Sequence, residues 1–215
     1  MPPRVEVRKT YKMYVGGEFV RSESGRSFTA GEDVNVPRGS RKDLRDAIKA
    51  ARGAFGGWSR RTAMNRGQVL YRAAEMLDGR RSQFVELLGG GRGARREVER
   101  AIEAWVWYAG WTDKLAQVSG TVNPVAGPYF NFTLPEPTGV VGLVAPDRPE
   151  VLGLVQRMAP ALCGGNTRGS RARTPAAHPG HPPPQAQQLL GGAAGLAPAD
   201  LDRSPSTSRW ACVTR

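Results

Sequence analysis

Residues 12–20 (KMYVGGEFV) place two short apolar and aromatic runs on either side of Gly16-Gly17. Two glycines accept positive φ at both central positions of a tight turn, so the stretch predicts a β-hairpin. Residues 21–39 are polar and contain glycine, and read as loop. Ser40 predicts a helix N-cap, with Asp43 as a shortened capping-box partner. Leu44, Ile48, Ala51 and Phe55 follow at helical spacing, and Gly56-Gly57 predicts the end of that helix.

A second helix is predicted over residues 62–88. Val69, Leu70, Ala73, Leu77, Phe84 and Leu88 form its apolar stripe, with Asp78-Gly79 as a point of interruption. The run Gly89-Gly90-Gly91-Arg92-Gly93 breaks any helix. It lacks both the preceding strand and the following Gly-Lys-Ser/Thr of a phosphate loop, so it reads as a flexible interhelical connection. A third helix is predicted over 97–118, burying Val98, Ile102, Trp105, Val106, Ala109 and Leu115. Its cluster of Trp105, Trp107, Tyr108 and Trp111 reads as core or subunit interface in preference to a ligand platform.

Residues 129–134 (YFNFTL) alternate and predict a strand. Residues 139–146 (GVVGLVAP) are a continuous apolar run, the pattern of a parallel strand buried on both faces. A helix over 151–163 ends at Gly164-Gly165-Asn166. Strand, short loop and helix make the first half of a βαβ unit, the element on which dinucleotide sites are built.

Composition changes the picture in two places. Hydrophobic residues make up 40% of the 215 residues, enough for a core because the large ones crowd in before Asn166. The net charge of +12 raises nucleic acid as a partner. The arginines are scattered, however, and form no basic run interleaved with aromatics, so nucleic acid is not expected. Two cysteines without Cys-x-x-Cys or Cys/His spacing predict no disulfide framework and no metal site. No stretch reads as a secretory signal or a membrane span, which leaves a reducing, cytoplasmic compartment as the expectation.

Several collinear motifs carry a resemblance. Residues 14–20 (YVGGEFV) form an apolar-x-Gly-Gly-x-apolar hairpin. Ala50, Ala51, Ala54 and Phe55 precede Trp58 and then Arg66. Tyr108-Ala109-Gly110-Trp111 leads to Lys114. Glu136-Pro137-Thr138-Gly139-Val140-Val141-Gly142 enters the apolar strand, and Ala159-Pro160-Ala161-Leu162 precedes Gly165-Asn166-Thr167. In this order and spacing, residues 11–167 resemble the N-terminal part of the aldehyde dehydrogenase superfamily.

The resemblance implies an α/β fold: an N-terminal hairpin, helical region and linking strand over 11–138, then the first βα of a Rossmann-like cofactor domain over 139–167. Residues 1–10 are expected to be flexible. It implies NAD or NADP as cofactor, with Val144, Ala145, Pro146 and Asp147 in the cofactor-binding segment. It also implies assembly into homo- or hetero-oligomers with relatives. In the family a cysteine thiolate attacks the aldehyde, hydride passes to NAD(P), and a glutamate activates water against the thioester. An Asn in a Pro-Trp-Asn-Phe-Pro segment serves the oxyanion. The segment here is Pro146-Asp147-Arg148-Pro149-Glu150, with Arg148 at the Asn position. The guanidinium is long and planar and places its donors differently from a short amide, so a normal oxyanion hole is not expected.

The family pattern stops after Thr167. Prolines 175, 179 and 182–184 oppose a central strand, and Ile, Phe, Met and Lys are absent from Arg168 onward. Residues 168–215 therefore read as a disordered tail, the abrupt change suggesting a shifted reading frame or alternative exon. Cys163, ending an apolar helix, reads as a buried inert thiol. Cys212, His178 and His181 read as tail residues. The family's catalytic Cys and Glu have no counterpart in these residues, so an inactive piece of an aldehyde dehydrogenase is expected. Two alternatives stand beside it: a non-catalytic scaffold or oligomerisation partner of a full-length relative, and a basic module whose Arg-rich tail engages an acidic partner or RNA and folds on binding.

Overall fold

The computed structural model describes residues 10–30, 34–144 and 151–171. In chain order these form β1 (Met13–Val15), β2 (Glu18–Val20), β3 (Ser27–Ala30), β4 (Val34–Pro37), α1 (Arg41–Ser59), α2 (Ala63–Asp78), α3 (Arg81–Leu87), α4 (Gly91–Trp111), α5 (Leu115–Ser119), β5 (Thr121–Asn123), β6 (Asn131–Thr133), β7 (Val140–Val144), α6 (Val151–Cys163) and β8 (Thr167–Arg171). This is the α/β architecture expected, with an opening hairpin, a helical region and a strand-helix-strand unit.

The predicted hairpin is β1–β2, with Met13 opposite Val20 and Tyr14 opposite Phe19. Its turn holds Gly16 at φ 63° and Gly17 at φ 90°, values that only glycine adopts without steric cost. Tyr14 and Phe19 meet edge to face at 5.5 Å, the arrangement that the ring quadrupole favours. The expectation of loop over residues 21–39 is corrected by a second antiparallel hairpin, β3–β4, with Phe28 opposite Val36. Val36 is buried there. The short alternation of apolar with Ser, Thr and Asn was enough to form strands because the pairing is local.

Helix α1 begins where expected. Ser40 Oγ accepts from Asp43 N while Asp43 Oδ2 accepts from Ser40 N, a complete capping box. It does not end at Gly56-Gly57 but runs on to Ser59. Gly56 and Gly57 cost about 1 kcal/mol each; the buried Trp58 offsets this by anchoring the last turn to a distant element. The second predicted helix is divided into α2 and α3 at Gly79-Arg80, at the expected interruption. Gly89, Gly90 and Gly91 all take positive φ, and the break falls there. Helix α4 nonetheless starts at Gly91 and includes Gly93, six residues earlier than read, and ends at Trp111. The remainder of the third predicted helix is the separate short α5.

The core lies between helices. α4 packs against α2 on one flank and α6 on another, with α3 also against it. Trp105, Val98, Leu70, Leu77, Phe84, Val155 and Met158 are all almost wholly buried in this cluster. Each such side chain contributes about 1.5–3 kcal/mol relative to an exposed one. The expected aromatic cluster divides: Trp105 is core, whereas Trp107 is exposed and tilts against Trp111 at 6.1 Å. The strand expected over 129–134 contracts to β6, which pairs with β5 and exposes Val122, Phe132 and Leu134.

Two expectations about the crossover are corrected. β7 is not buried on both faces; its residues are half-buried or exposed, and among the described residues α1 and α6 are the main elements packed against it and β8. A strand does follow Thr167: β8 pairs in parallel with β7, in register from Val140↔Thr167 to Val144↔Arg171. Backbone pairing with β7 supplies what the polar side-chain sequence did not signal. The expectations for residues 1–9 and 172–215, including Cys212, His178 and His181, lie outside the described residues.

Candidate functional site

In parallel α/β sheets, ligands approach the carboxyl ends of the strands, beside the start of the following helix. Here that place is the end of β7 and the beginning of α6. The entry to β7 is fixed from both sides. Asn166 Oδ1 accepts from Gly139 N at 3.0 Å, and Thr167 N donates to Gly139 O at 3.0 Å. The turn that ends α6 thereby holds the start of the strand that precedes it.

Of the candidate cofactor residues, Val144 is the last residue of β7 and is exposed. Ala145, Pro146, Asp147 and Arg148 lie outside the described residues. The described part of helix α6 opens on Val151, which is buried. The Val151 N–H donates to Glu97 Oε1 at 2.7 Å. Glu97 belongs to α4 and is half-buried. Reading the sequence missed it, because the bond spans 54 positions and no motif marks it. Its only signal is its place beside Val98, on the helix whose Val98, Ala101 and Trp105 join the core with α6.

The arrangement bears on a dinucleotide. A βα unit of this kind offers the first amides of its helix to the pyrophosphate. In this chain the Val151 amide, the first described in α6, is engaged by the Glu97 carboxylate.

A second cluster ties the crossover to the helices. Trp58 Nε1 donates to Leu162 O at 3.1 Å, and Gly165 N donates to the same oxygen at 3.0 Å. Arg66, at the start of α2, donates through Nη1 to Arg61 O at 2.7 Å, while its Nε is buried without a partner. Cys163, at the end of α6, is buried and free. Burial pushes its thiol up to about 11, against a smaller downward pull from Arg66. A thiol held protonated at neutral pH is a poor nucleophile, in keeping with an inert core cysteine. Among the described residues no three His, Cys, Asp or Glu side chains converge on one point. No helix among them is long and apolar enough to cross a membrane.

The family model described as the aldehyde dehydrogenase family matches residues 23–171. Human retinal dehydrogenase 2 is 36% identical over 180 residues, covering 77% of this chain and 34% of that protein. A putative aldehyde dehydrogenase, DhaS, of Bacillus subtilis is 33% identical over 172 residues, 74% of this chain and 34% of its own length. Among solved structures, the NAD+ complex of an aldehyde dehydrogenase from Bacillus cereus superposes with a TM-score of 0.68 at 30% identity, over 76% of this chain and 35% of that one. An NAD-dependent aldehyde dehydrogenase from Sinorhizobium meliloti shares the fold over 88% of this chain and 39% of its own, with a TM-score of 0.75. The chain therefore spans about a third of the length of the relatives it matches. The family model spans more than half of the chain, and the chain belongs to the aldehyde dehydrogenase family.

Proposed function

We propose that this chain supplies the N-terminal hairpin, the helical region and the opening β7–α6–β8 crossover of an NAD(P)-dependent aldehyde dehydrogenase, and that these 215 residues alone do not oxidise aldehydes. The family match over residues 23–171 carries the first part. The second is supported by Cys163, the one cysteine among the described residues, whose thiol is buried and held protonated. Acyl transfer to a thiol needs a thiolate beside a base, and no such pair is found among the described residues. Arg148 in place of the oxyanion Asn belongs to the same reading. The division at residue 139 into a helical region and a cofactor domain, the contact of Val144, Ala145, Pro146 and Asp147 with cofactor, and a cytoplasmic location are parts of this proposal.

The test is NAD(P) reduction by the purified chain with a panel of aliphatic and aromatic aldehydes. No reduction above the buffer rate is expected, and turnover abolished by Cys163→Ser would overturn the proposal.

A second reading has an observation of its own. The β5–β6 hairpin and its connection expose Val122, Tyr129, Phe130, Phe132 and Leu134, each more than half accessible. Apolar surface gathered in this way marks association sites, which favours assembly with a full-length relative. Co-purification lost on replacing Phe130 and Phe132 with Ser supports that reading; co-purification unaffected by the double variant speaks against it.

A further inference from the structure

Basic residues that form no contiguous run in the sequence are gathered into a row by α1. Arg41, Arg45, Lys49 and Arg52 are all exposed, and at about 100° per residue they fall within an arc of about 80°. At 1.5 Å of rise per residue the row is about 16 Å long. Ala51 and Trp58, which α1 buries against its neighbours, lie on another side of the helix. Arg45 meets Asp46 at 3.6 Å, with both side chains more than half exposed. Arg41, Lys49 and Arg52 are paired with no carboxylate among the described residues.

This charge works against the helix that carries it. Arg41 and Lys42 stand in the first turn, at the positive end of the macrodipole, while the last turn holds no basic residue. Arg41 with Arg45, and Arg45 with Lys49, are like charges four positions apart, which repel. Local rules broken together on one exposed face are the mark of a surface shaped for a partner.

We infer that this face of α1 is a contact surface for the phosphate backbone of a double-stranded nucleic acid. A duplex carries one negative charge for about every 1.7 Å of its axis, so a straight row of cations meets phosphates along its whole length. Three of the four are arginines, whose planar forks hold phosphate by paired hydrogen bonds. The net charge of +12 adds attraction at longer range. An anionic membrane is the poorer fit. A helix seats in the bilayer interface through an apolar face, and Leu44 is the one large apolar side chain that α1 exposes. None of this depends on the dehydrogenase reading.

The test follows binding of the whole chain to a short fluorescent DNA duplex by anisotropy, across a series of salt concentrations. The triple variant Arg41→Gln, Lys49→Gln, Arg52→Gln removes the row and keeps helix propensity, since glutamine ranks with lysine and arginine. Its affinity is expected to fall at least about tenfold, and its salt slope to flatten by about 2.7, the value for three phosphate contacts. Its thermal midpoint is expected to equal or exceed that of the parent. Arg92→Gln, Arg95→Gln, Arg96→Gln removes the same charge from exposed positions of α4 and is expected to bind nearly as the parent does.

Equal losses in the two triple variants overturn the inference, because net charge alone then governs binding. So does a row variant that binds as tightly as the parent, which assigns the contact to the basic residues after Thr167. A row variant that melts below the parent also overturns it, since the row is then structural. So too does a row variant that loses binding to phosphatidylserine vesicles while its duplex affinity stays unchanged.

Discussion

The indole of Trp58 and the carbonyl of Leu162 are joined by a 3.1 Å hydrogen bond across 104 positions of sequence. Trp58 sits at the end of α1 and Leu162 in the last turn of α6, so the bond clamps the helical region to the crossover. The Leu162 oxygen also accepts from Gly165 N, which makes it the hub of the turn leading into β8.

Trp58→Phe keeps most of the buried ring and removes the donor. Because Leu162 O retains Gly165 N as a partner, the expected cost is that of a single hydrogen bond, about 1 kcal/mol. Chemical denaturation checks the magnitude. Amide exchange checks the location: faster exchange at Gly165 and along β8, with α2 and α4 unchanged, is the expected pattern.

Gly67 faces a tight helix contact. A Cβ there would lie 2.7 Å from Thr112 Oγ1 and 2.9 Å from Ala109 O, and Thr112 is itself held by its 2.9 Å bond to that carbonyl. Alanine favours helix over glycine by about 1 kcal/mol, yet overpacking of this kind costs about 1–3 kcal/mol. Gly67→Ala is expected to lower the thermal midpoint, whereas Gly93→Ala, which meets nothing within 4 Å, is expected to raise it. Equal shifts of one sign for the two variants would count against the packing argument.

Asp43 is nearly buried. Burial alone would raise its pKa, but the Ser40 and Glu23 backbone amides and the Ser22 hydroxyl donate to it and, with the nearby Ser40 hydroxyl, bring it below the ordinary value. A depressed carboxylate contributes stability that is complete above the unfolded pKa, about 3.9, and is lost as pH falls through the lower folded value. Asp43→Asn is expected to be less stable than the parent at pH 7, with the gap closing toward pH 3. A gap independent of pH in urea titrations would place the effect on packing instead.

Cys163 is expected to resist thiol reagents. With its pKa raised from 9.0 to about 11, the thiolate fraction at pH 8 falls about a hundredfold. In a Cys212→Ser background, labelling with a disulfide reagent is expected to be slow in the native chain and complete after unfolding. The raised pKa also makes stability decline as pH rises from 9.0 toward about 11, the reverse of the Asp43 case.

Local signals were the legible ones. Gly16-Gly17 predicted the hairpin, Ser40 with Asp43 predicted the cap, and the stripe through Leu70, Ala73 and Leu77 predicted the buried face of α2. The collinear motifs predicted the family. What escaped was set by distant partners. Helix α1 outlasts Gly56-Gly57 because Trp58 is held by Leu162. β8 forms from Thr-Arg-Gly-Ser-Arg because β7 offers it a parallel register, although β-branched residues are wanting after Thr167. Glu97 meets the Val151 amide through a contact between α4 and α6 that neither segment announces.

The clamp between Trp58 and Leu162 has a consequence for synthesis. The chain leaves the ribosome from its N-terminus, so the indole emerges about a hundred residues before its acceptor. The hairpins and the α2–α4 packing need only nearby partners and can form while elongation continues. The parallel crossover must wait for α6, since closing so long a loop forfeits entropy before any contact is gained. Assembly is thereby ordered in time: the helical region is the template on which the last described strands are laid.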